Sequence, residues 1–384
     1  MEMLKYYLGG REQAFIKHAL LKAYLEKLFM IIGQRQRCIC YVDCFSGPWE
    51  ESAENLMDTS IGISLDIMAK CRKALAAMRN EVKFRALYIE KTRKSYDKLQ
   101  DFLKQSKELG VETRAIRGEF HNNLNEIIDW CGSKDFVFFF VDPKGYANVI
   151  EPQTLEPLLH RKNSEILINF MYDHINRFVE SKSNRNLIVD IFGEVPVVGG
   201  LEPKKREEYL LELYRRRLKS VMSEVGGVPR FAYVSVVDTE KSKTKYEMVY
   251  LTRHALGILK FLEVSEPLEI IQKQVKQKAK EHRSKQPSLF SFEEIPEVNE
   301  GVSIEEVKHF WLRKLSTVPE PFGYDRMADM HEETGWLLGD FQRAFSELLK
   351  EGKVQNIDMS KPRRSRPIHF EENRGEGERL RKLV

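Results

Sequence analysis

Apolar runs alternate with amphipathic segments through the first two thirds of the chain. The runs CICYVDCF (38–45) and FVFFFVD (136–142) have the length and β-rich composition of strands buried on both faces of a sheet. Such strands alternate with helical patterns at the spacing of a mainly parallel, doubly wound α/β sheet. We predict strands at 38–45, 84–90, 111–118, 136–142, 164–171, 231–238 and 246–254, and helices at 11–33, 60–78, 92–109, 122–131, 152–161, 205–225 and 266–285.

The last two predicted strands, 231–238 and 246–254, are joined by the polar loop TEKSKTK and form an antiparallel hairpin that closes the sheet. A seven-stranded, mostly parallel Rossmann-like sheet with a terminal hairpin is expected of the class I methyltransferase fold. A dinucleotide-dependent dehydrogenase would normally lack this hairpin. The fold class that we predict is therefore α/β, of the class I methyltransferase type.

The C-terminal segment has a different organisation. A segment rich in proline, serine and acidic residues separates it from the sheet, which predicts domains at 1–285 and 301–384 with a linker at 286–300. Helical patterns at 303–316, 324–333 and 335–351 precede two short strands, KVQNID (353–358) and RPIHFE (366–371), around the turn SKPRRSR. Three helices followed by a wing are typical of a winged helix-turn-helix domain.

Basic residues in this domain are candidates for contact with DNA or RNA, because cations there would meet phosphates or a groove. The alternatives are that the domain mediates protein contacts and that its basic loop is only solvated. The nucleic-acid-binding residues that we predict are Arg343 on the third helix and Lys361, Arg363, Arg364 and Arg366 in the turn.

Length, charge and cysteine content narrow the class of protein. At 384 residues the chain exceeds what one hydrophobic core usually supports, and its net charge of +4 neither requires nor excludes a polyanionic partner. No apolar stretch is long enough to span a membrane and the N-terminus does not resemble a secretion signal, so we expect a cytoplasmic protein with no membrane partner.

Five cysteines do not make a disulfide framework in a chain of this length, and we expect reduced thiols. The spacing of Cys38, Cys40 and Cys44 raises the question of a metal site. Three thiols along one buried strand are poorly arranged for tetrahedral ligation, and we predict no metal site.

Candidate binding residues follow the first strands of the predicted sheet, where open α/β sheets bind their ligands. Asp43 precedes the turn Phe45-Ser46-Gly47-Pro48, in which Gly47 would let the backbone approach a ligand. Glu90 ends the second strand, where a carboxylate can accept hydrogen bonds from ribose hydroxyls. Glu119 and Phe120 follow the third strand, where an adenine ring would lie. The alternatives are a turn or capping role for Asp43, an N-cap role for Glu90, and an ordinary surface acid at Glu119.

The turn Asp142-Pro143-Lys144-Gly145-Tyr146 follows the most apolar strand and resembles the Asp-Pro-Pro-Tyr signature of amino-methylating enzymes. In that signature the acid and a proline carbonyl accept hydrogen bonds from the target amine, and the aromatic ring packs on the base. We predict catalytic roles for Asp142, Pro143 and Tyr146, with Asp142 also near the cofactor. The alternative is an ordinary proline and glycine turn.

Together these motifs resemble the three-Cys-motif partner protein family (TcmP), whose members look like this chain at 16–25, 41–48 and 140–145, at 250–254, and in the appended winged-helix domain. The resemblance implies a class I methyltransferase fold that binds S-adenosylmethionine, with Asp43, Gly47, Glu90 and Asp142 at cofactor or active-site positions. It also implies a companion protein with three cysteines as a partner. Cys44 and Trp49 stand where the family usually has glycine.

The function that we predict from the sequence is an S-adenosylmethionine-dependent methyltransferase that acts on nucleic acid at an amino nitrogen of a base. The alternative is a catalytically inactive methyltransferase-like protein that binds nucleic acid or assembles a partner.

Overall fold

A computed structural model describes residues 7–8, 11–47, 59–143, 145, 149–241, 243–284, 302–361, 363 and 366–383. These residues divide into two compact units, Met1–Arg253 with Ile271–Ser284 and His254–Ile270 with Lys285–Val384. The first unit contains a seven-stranded sheet whose strands lie close to the predicted positions. They are β1 (Cys38–Asp43), β2 (Lys83–Glu90), β3 (Glu112–Arg117), β4 (Phe136–Val141), β5 (Ser164–Phe170), β6 (Arg230–Val237) and β7 (Thr244–Thr252).

The order of the strands across the sheet is β3-β2-β1-β4-β5-β7-β6. The first five strands run parallel, and β7 runs antiparallel to both β5 and β6, so that the predicted terminal hairpin is present. Strand β1 lies between β2 and β4, with Val42 opposite Leu87 and Phe139. All six residues of β4 are buried, as its unbroken apolar sequence predicts. The first unit is therefore a mostly parallel, Rossmann-like α/β sheet.

Helices cover both faces of this sheet. On one face, α1 buries Leu20, Leu21, Tyr24 and Leu25 through apolar residues at helical spacing, and it packs against α2. On the other face, Phe170 of β5 stacks on Tyr214 of α8 with ring centroids 4.6 Å apart. Among the described residues up to 253, the α-helices are α1 (Glu12–Ile32), α2 (Ser60–Ala77), α3 (Arg93–Gln105), α4 (Leu124–Cys131), α5 (Pro152–Leu159), α6 (Tyr172–Phe178), α7 (Arg185–Phe192) and α8 (Pro203–Ser223).

The second unit contains the helices α10, α11 and α12 and a small sheet, besides the start of a longer helix and one short helical turn. Trp311 is fully buried in its core, where the indole N–H donates to the Phe341 carbonyl oxygen at 3.0 Å. Its sheet has the order β8-β10-β9 and is antiparallel. The elements after residue 253 are α9 (Ala255–Ser284), α10 (Ile304–Lys314), β8 (Glu320–Phe322), α11 (Tyr324–Thr334), α12 (Leu338–Lys350), β9 (Val354–Asn356), α13 (Glu372–Gly375) and β10 (Glu378–Lys382).

One predicted strand of the second unit is wrong. Residues 366–371 do not form a strand, and β9 pairs instead with β10, which lies nearer the C-terminus. Side-chain amides satisfy the backbone of this segment. Gln342 exchanges two hydrogen bonds with the backbone of Ile368, and Asn356 donates to the Pro367 carbonyl. These side chains satisfy polar groups of the backbone, and Pro367 has no amide hydrogen to donate. The segment therefore does not pair as a strand.

Two other differences concern helices. The sequence patterns did not reveal α6 and α7, which are short and lie between β5 and α8. Helix α9 begins at Ala255, well before the predicted start at 266, and Pro267 lies inside it. No helix among the described residues is long and apolar enough to cross a membrane.

Candidate functional site

A pocket of about 690 Å³ opens at the carboxyl ends of the first four strands. Parallel strands end at the same edge of a sheet, so the turns after them converge there. The pocket brings together six of the predicted residues, which are Phe45, Gly47, Glu90, Glu119, Phe120 and Pro143. Pro48, Tyr146 and Arg364, also predicted as site residues, lie outside the described residues.

A backbone hydrogen bond joins the turn after β1 to β2, and a side-chain hydrogen bond joins it back to β1. The Ser46 amide donates to the Ile89 carbonyl oxygen at 2.8 Å, and the Ser46 hydroxyl donates to the Asp43 carbonyl oxygen at 3.1 Å. Ser46 is 1% exposed, and these two contacts satisfy its amide and its hydroxyl. Ser46 therefore shapes the wall of the pocket rather than lining it.

Asp43 is completely buried beneath this turn. One carboxylate oxygen accepts from the Ser60 hydroxyl at 2.6 Å, and the other accepts from the Phe45 amide at 3.1 Å. Burial raises the pKa of Asp43 to about 6, against the lowering effect of these two hydrogen bonds. Asp43 does not line the pocket, and its contacts are those of a residue that holds the turn to the start of α2.

Glu90 lies at the end of β2 and lines the pocket with 5% of its surface exposed. Its Oε1 atom accepts from the amide of Thr92 at 2.6 Å and from the hydroxyl of the same residue at 2.7 Å. Its Oε2 atom lies against Gly47, where a Cβ would come within 1.7 Å of it. Glu90 thus holds the start of α3 with one oxygen and directs the other toward the glycine turn.

An aromatic wall forms a further side of the pocket. Phe120 is 2% exposed, and its ring centroid is 5.3 Å from that of Phe45. The side chain of Glu119 is half-exposed, and its Oε2 atom lies 3.4 Å from Nε2 of His121. The pocket therefore has an apolar wall beside a largely buried carboxylate, with a second carboxylate near its mouth.

Asp142 follows β4 and is held by two nitrogen donors. The ammonium of Lys17, on α1, lies 2.5 Å from Oδ2, and the amide of Asn169, at the end of β5, donates to Oδ1 at 2.7 Å. Lys17 also lies 5.8 Å from the centroid of the Tyr246 ring. Asp142 is 18% exposed and Lys17 is 12% exposed. Asp142 is next to Pro143 in the chain but does not itself line the pocket.

Sequence reasoning missed Asn169, which binds the predicted catalytic carboxylate, and Asn184 and Leu187, which line the pocket. Asn169 is a polar residue at the carboxyl end of a parallel strand, the same signal that selected Asp43 and Glu90. Leu187 belongs to α7 and Asn184 directly precedes it, and the sequence patterns did not reveal this helix.

The predicted nucleic-acid-binding residues have different surroundings. Arg363 makes a bidentate pair with Glu378, at 2.9 and 2.7 Å, and Arg343 pairs with Asp340 on its own helix at 2.6 Å. Lys361 and Arg366 are exposed. Burial alone would raise the pKa of the Glu378 carboxyl. The Arg363 guanidinium and the hydrogen bonds from His369 and Asn356 outweigh this effect and lower the pKa. Arg363 is therefore part of the structure of its loop.

Comparisons with known proteins return little. No family model and no curated protein matches the chain. Among solved structures, the crystal structure of protein LPL1258 from Legionella pneumophila, of the family-model DUF519, is 12% identical. The match covers 70% of this chain and 94% of that one, with a TM-score of 0.38. A likeness of this degree carries no argument about fold or function.

Proposed function

We propose that the chain is an S-adenosylmethionine-dependent methyltransferase of the class I fold that acts on an amino nitrogen of nucleic acid. The observation that carries the proposal is the pocket at the carboxyl ends of β1 to β4, with the Glu90 carboxylate facing the Gly47 turn. The strand order, with an antiparallel β7 between β5 and β6, supports the methyltransferase version of the fold.

The pocket fits a nucleoside cofactor in size and chemistry. Its volume of about 690 Å³ lies within the usual range for small-molecule sites. A Cβ at position 47 would collide with Oε2 of Glu90, so the glycine lets this carboxylate keep its position in the pocket wall. Glu90 would accept from the ribose hydroxyls, and Phe45 and Phe120 would cover the adenine.

Bound S-adenosylmethionine would supply an electrophilic methyl group, and the residues around Asp142 would orient the acceptor. Lys17 and Asn169 both present N–H donors to the two oxygens of Asp142. Because the oxygens of Asp142 already accept from N–H donors, an amino group of the acceptor could take the place of the Lys17 ammonium as a donor to Oδ2. Pro143 lines the pocket, and its carbonyl oxygen would accept a hydrogen bond from the second hydrogen of that amine.

The second unit supplies the proposed contact with nucleic acid. The helices α10, α11 and α12, with a three-stranded antiparallel sheet, support its interpretation as a winged-helix domain. Lys361 and Arg366 are exposed cations on the loop between β9 and β10, where a wing would meet phosphates. The proposed membership of the TcmP family, and with it a companion protein with three cysteines, rests on the sequence motifs alone.

Calorimetry with S-adenosylmethionine tests the cofactor half of the proposal. We expect saturable binding to the whole chain and at least a roughly tenfold loss of affinity in Glu90→Ala, because the ribose would lose its acceptor. Glu108→Ala, an exposed glutamate after α3, is the matched control and should bind as the wild type does. Absence of heat at millimolar ligand would exclude a cofactor site in this pocket.

Transfer of a radioactive methyl group to DNA or RNA tests the catalytic half. Asp142→Ala should bind the cofactor and lose transfer, because the acceptor amine is no longer oriented. Unchanged transfer in Asp142→Ala would exclude the role assigned to this residue.

A second candidate is a binding protein with no transferase activity. The contact that favours it is the closed ion pair between Lys17 and Asp142, which occupies the position proposed for the acceptor. On this alternative the cofactor binds with measurable heat, and no nucleic acid becomes methylated under any condition in which the protein binds it.

A further inference from the structure

Two thiols and a carboxylate meet at the opposite edge of the sheet from the pocket. Cys38 and Cys40 are two residues apart on β1, so their side chains leave the strand on the same face. Asp135 directly precedes β4, whose first residue, Phe136, pairs with Ile39 of β1. The two sulfur atoms and a carboxylate oxygen all lie within 4.8 Å of one another. Cys40 is fully buried, whereas Cys38 and Asp135 are half-buried.

Arg85 of β2 is fixed beside this cluster. Its guanidinium lies 4.1 Å from the centroid of the Trp130 ring, and its Nε donates to Glu112 at 2.9 Å. Its Nη1 atom lies 3.9 Å from the sulfur of Cys40 and 3.8 Å from Oδ2 of Asp135. It is therefore placed to donate to a thiolate and to a carboxylate from outside a first ligand shell.

We propose that Cys38, Cys40 and Asp135 bind a thiophilic divalent cation, with Zn²⁺ as the natural candidate. Thiolate and carboxylate are common zinc ligands, and three protein ligands leave a fourth, tetrahedral position for water. Two thiolates and one carboxylate carry three negative charges, which a divalent ion and the Arg85 guanidinium neutralise. The charge of Arg85 therefore balances the site once the thiols have lost their protons.

The spacing of the ligand atoms fits this ion after a small adjustment. Two sulfurs at 2.3 Å from a tetrahedral zinc are about 3.8 Å apart. No two ligand atoms of the cluster are more than 4.8 Å apart, so they need to close by at most about 1 Å. Cys38 and Asp135 can make this movement by side-chain rotation because both are partly exposed.

The structure also explains why the cysteine spacing alone argued against a metal. The third thiol of the motif, Cys44, lies at the other end of β1 and lines the pocket. Asp135, far away in sequence, takes its place as the third ligand. The crowding expected of three thiols on one strand does not arise.

Titration of the reduced, metal-free protein with Cd²⁺ tests the site through the ultraviolet charge-transfer band of cadmium thiolate. We expect the band to saturate at one ion per chain in the wild type and to be lost or strongly reduced in Cys38→Ser and in Cys40→Ala. Asp135→Asn should keep the band and bind at least roughly tenfold more weakly, since both thiolates remain. Cys71→Ser is the matched control, because Cys71 is a buried cysteine on α2 and should leave the titration unchanged.

Zn²⁺ provides a second measurement that does not depend on the absorption band. It should raise the melting temperature of the wild type and of Cys71→Ser but not that of Cys38→Ser, and circular dichroism checks that each variant is folded. A wild type with titratable reduced thiols and no cadmium band would overturn the proposal. So would a band that persists unchanged in both Cys38→Ser and Cys40→Ala.

Discussion

Gly47 and Glu90 illustrate how one residue depends on another across the turn of the pocket. In Gly47→Ala the new Cβ would come within 1.7 Å of Oε2 of Glu90 and within 2.8 Å of its carboxyl carbon. The carboxylate would have to move away, because it is the flexible partner. We expect a loss of S-adenosylmethionine affinity of roughly tenfold, about 1.4 kcal/mol, by calorimetry.

Gly145→Ala is a matched control for this substitution. Gly145 lines the same pocket, but among the described residues no heavy atom lies within 4 Å of the Cβ that it would acquire. Its affinity for the cofactor should stay close to that of the wild type. Equal affinity in both variants would contradict the proposed role of the Glu90 carboxylate in the position that it has beside Gly47.

At the scale of single residues, the strand patterns predicted where the pocket lies better than they predicted which side chains line it. Glu90, Phe120 and Pro143 were predicted from the ends of strands, and the structure brings all three to one pocket. Asp43 was predicted with them, yet its carboxylate is taken up by the Ser60 hydroxyl and the Phe45 amide. Strand patterns show where a residue lies along the chain, but only the folded structure shows which distant donor reaches it.

Elements of the first unit are joined by a partly buried ion pair between α1 and the end of β4. Lys17→Met would remove the cation from Asp142 and keep the hydrogen bond from the Asn169 amide, and we expect the free energy of unfolding to fall by about 2 kcal/mol. A double-mutant cycle of Lys17→Met with Asp142→Asn, measured by urea unfolding, should give a coupling of about 1–3 kcal/mol.

Lys70 and Asp66 supply the control for this cycle. They form an ion pair on α2 at 2.6 Å, but the lysine side chain is 60% exposed. Solvent screens such a pair, so the coupling should be about 0.5 kcal/mol or less. A coupling between Lys17 and Asp142 no larger than this would show that the contact does not join the two elements.

Glu165 of β5 connects the same helix to β7 inside the core. Tyr24 donates to this carboxylate at 2.7 Å, and Thr252 donates at 3.3 Å. Burial raises the pKa of Glu165 to about 7, although hydrogen bonds from Tyr24, Tyr250 and Thr252 lower it. The folded protein thus holds this proton more tightly than the unfolded chain, and the resulting stability is present below pH 4.5 and is lost as the pH rises through about 7.

Glu165→Gln cannot ionise and should remove this contribution. Relative to the variant, the wild type should lose about 3 kcal/mol of unfolding free energy between pH 4 and pH 8, as measured by urea unfolding. Glu108→Gln, at an exposed position, should show no such pH-dependent difference. A difference between Glu165→Gln and the wild type that stays constant with pH would mean that the pKa of Glu165 is the same in the folded and the unfolded protein.

Elements were predictable to the extent that they bury continuous or periodic apolar sequence. The strands of the large sheet other than β3 follow such runs, and β4 is buried along its whole length, whereas β3 is mostly polar and buries Ile116. The helices α6 and α7 are too short to show a clear period. The segment 366–371 looked like a strand by composition, but the side chains of Gln342 and Asn356 satisfy its backbone instead.

At the scale of the whole molecule, the net charge of +4 is too small to attract a nucleic acid by itself. Binding would depend on the exposed cations of the loop between β9 and β10. Lys361→Ala and Arg366→Ala should each weaken binding of a labelled duplex, and each should reduce the slope of log affinity against log salt by about 1. Fluorescence anisotropy over a series of potassium chloride concentrations measures both quantities.

Arg363 separates this electrostatic effect from a structural one, although it belongs to the same basic sequence. Its guanidinium holds the Glu378 carboxylate, which is 3% exposed, through two hydrogen bonds. Arg363→Ala would leave that carboxylate without its cation, and we expect the unfolding free energy of its unit to fall by about 2 kcal/mol. The salt slope should stay that of the wild type because no phosphate contact is lost. A slope that falls in Arg363→Ala, while Lys361→Ala and Arg366→Ala keep the wild-type slope, would place the nucleic acid on the other side of this loop.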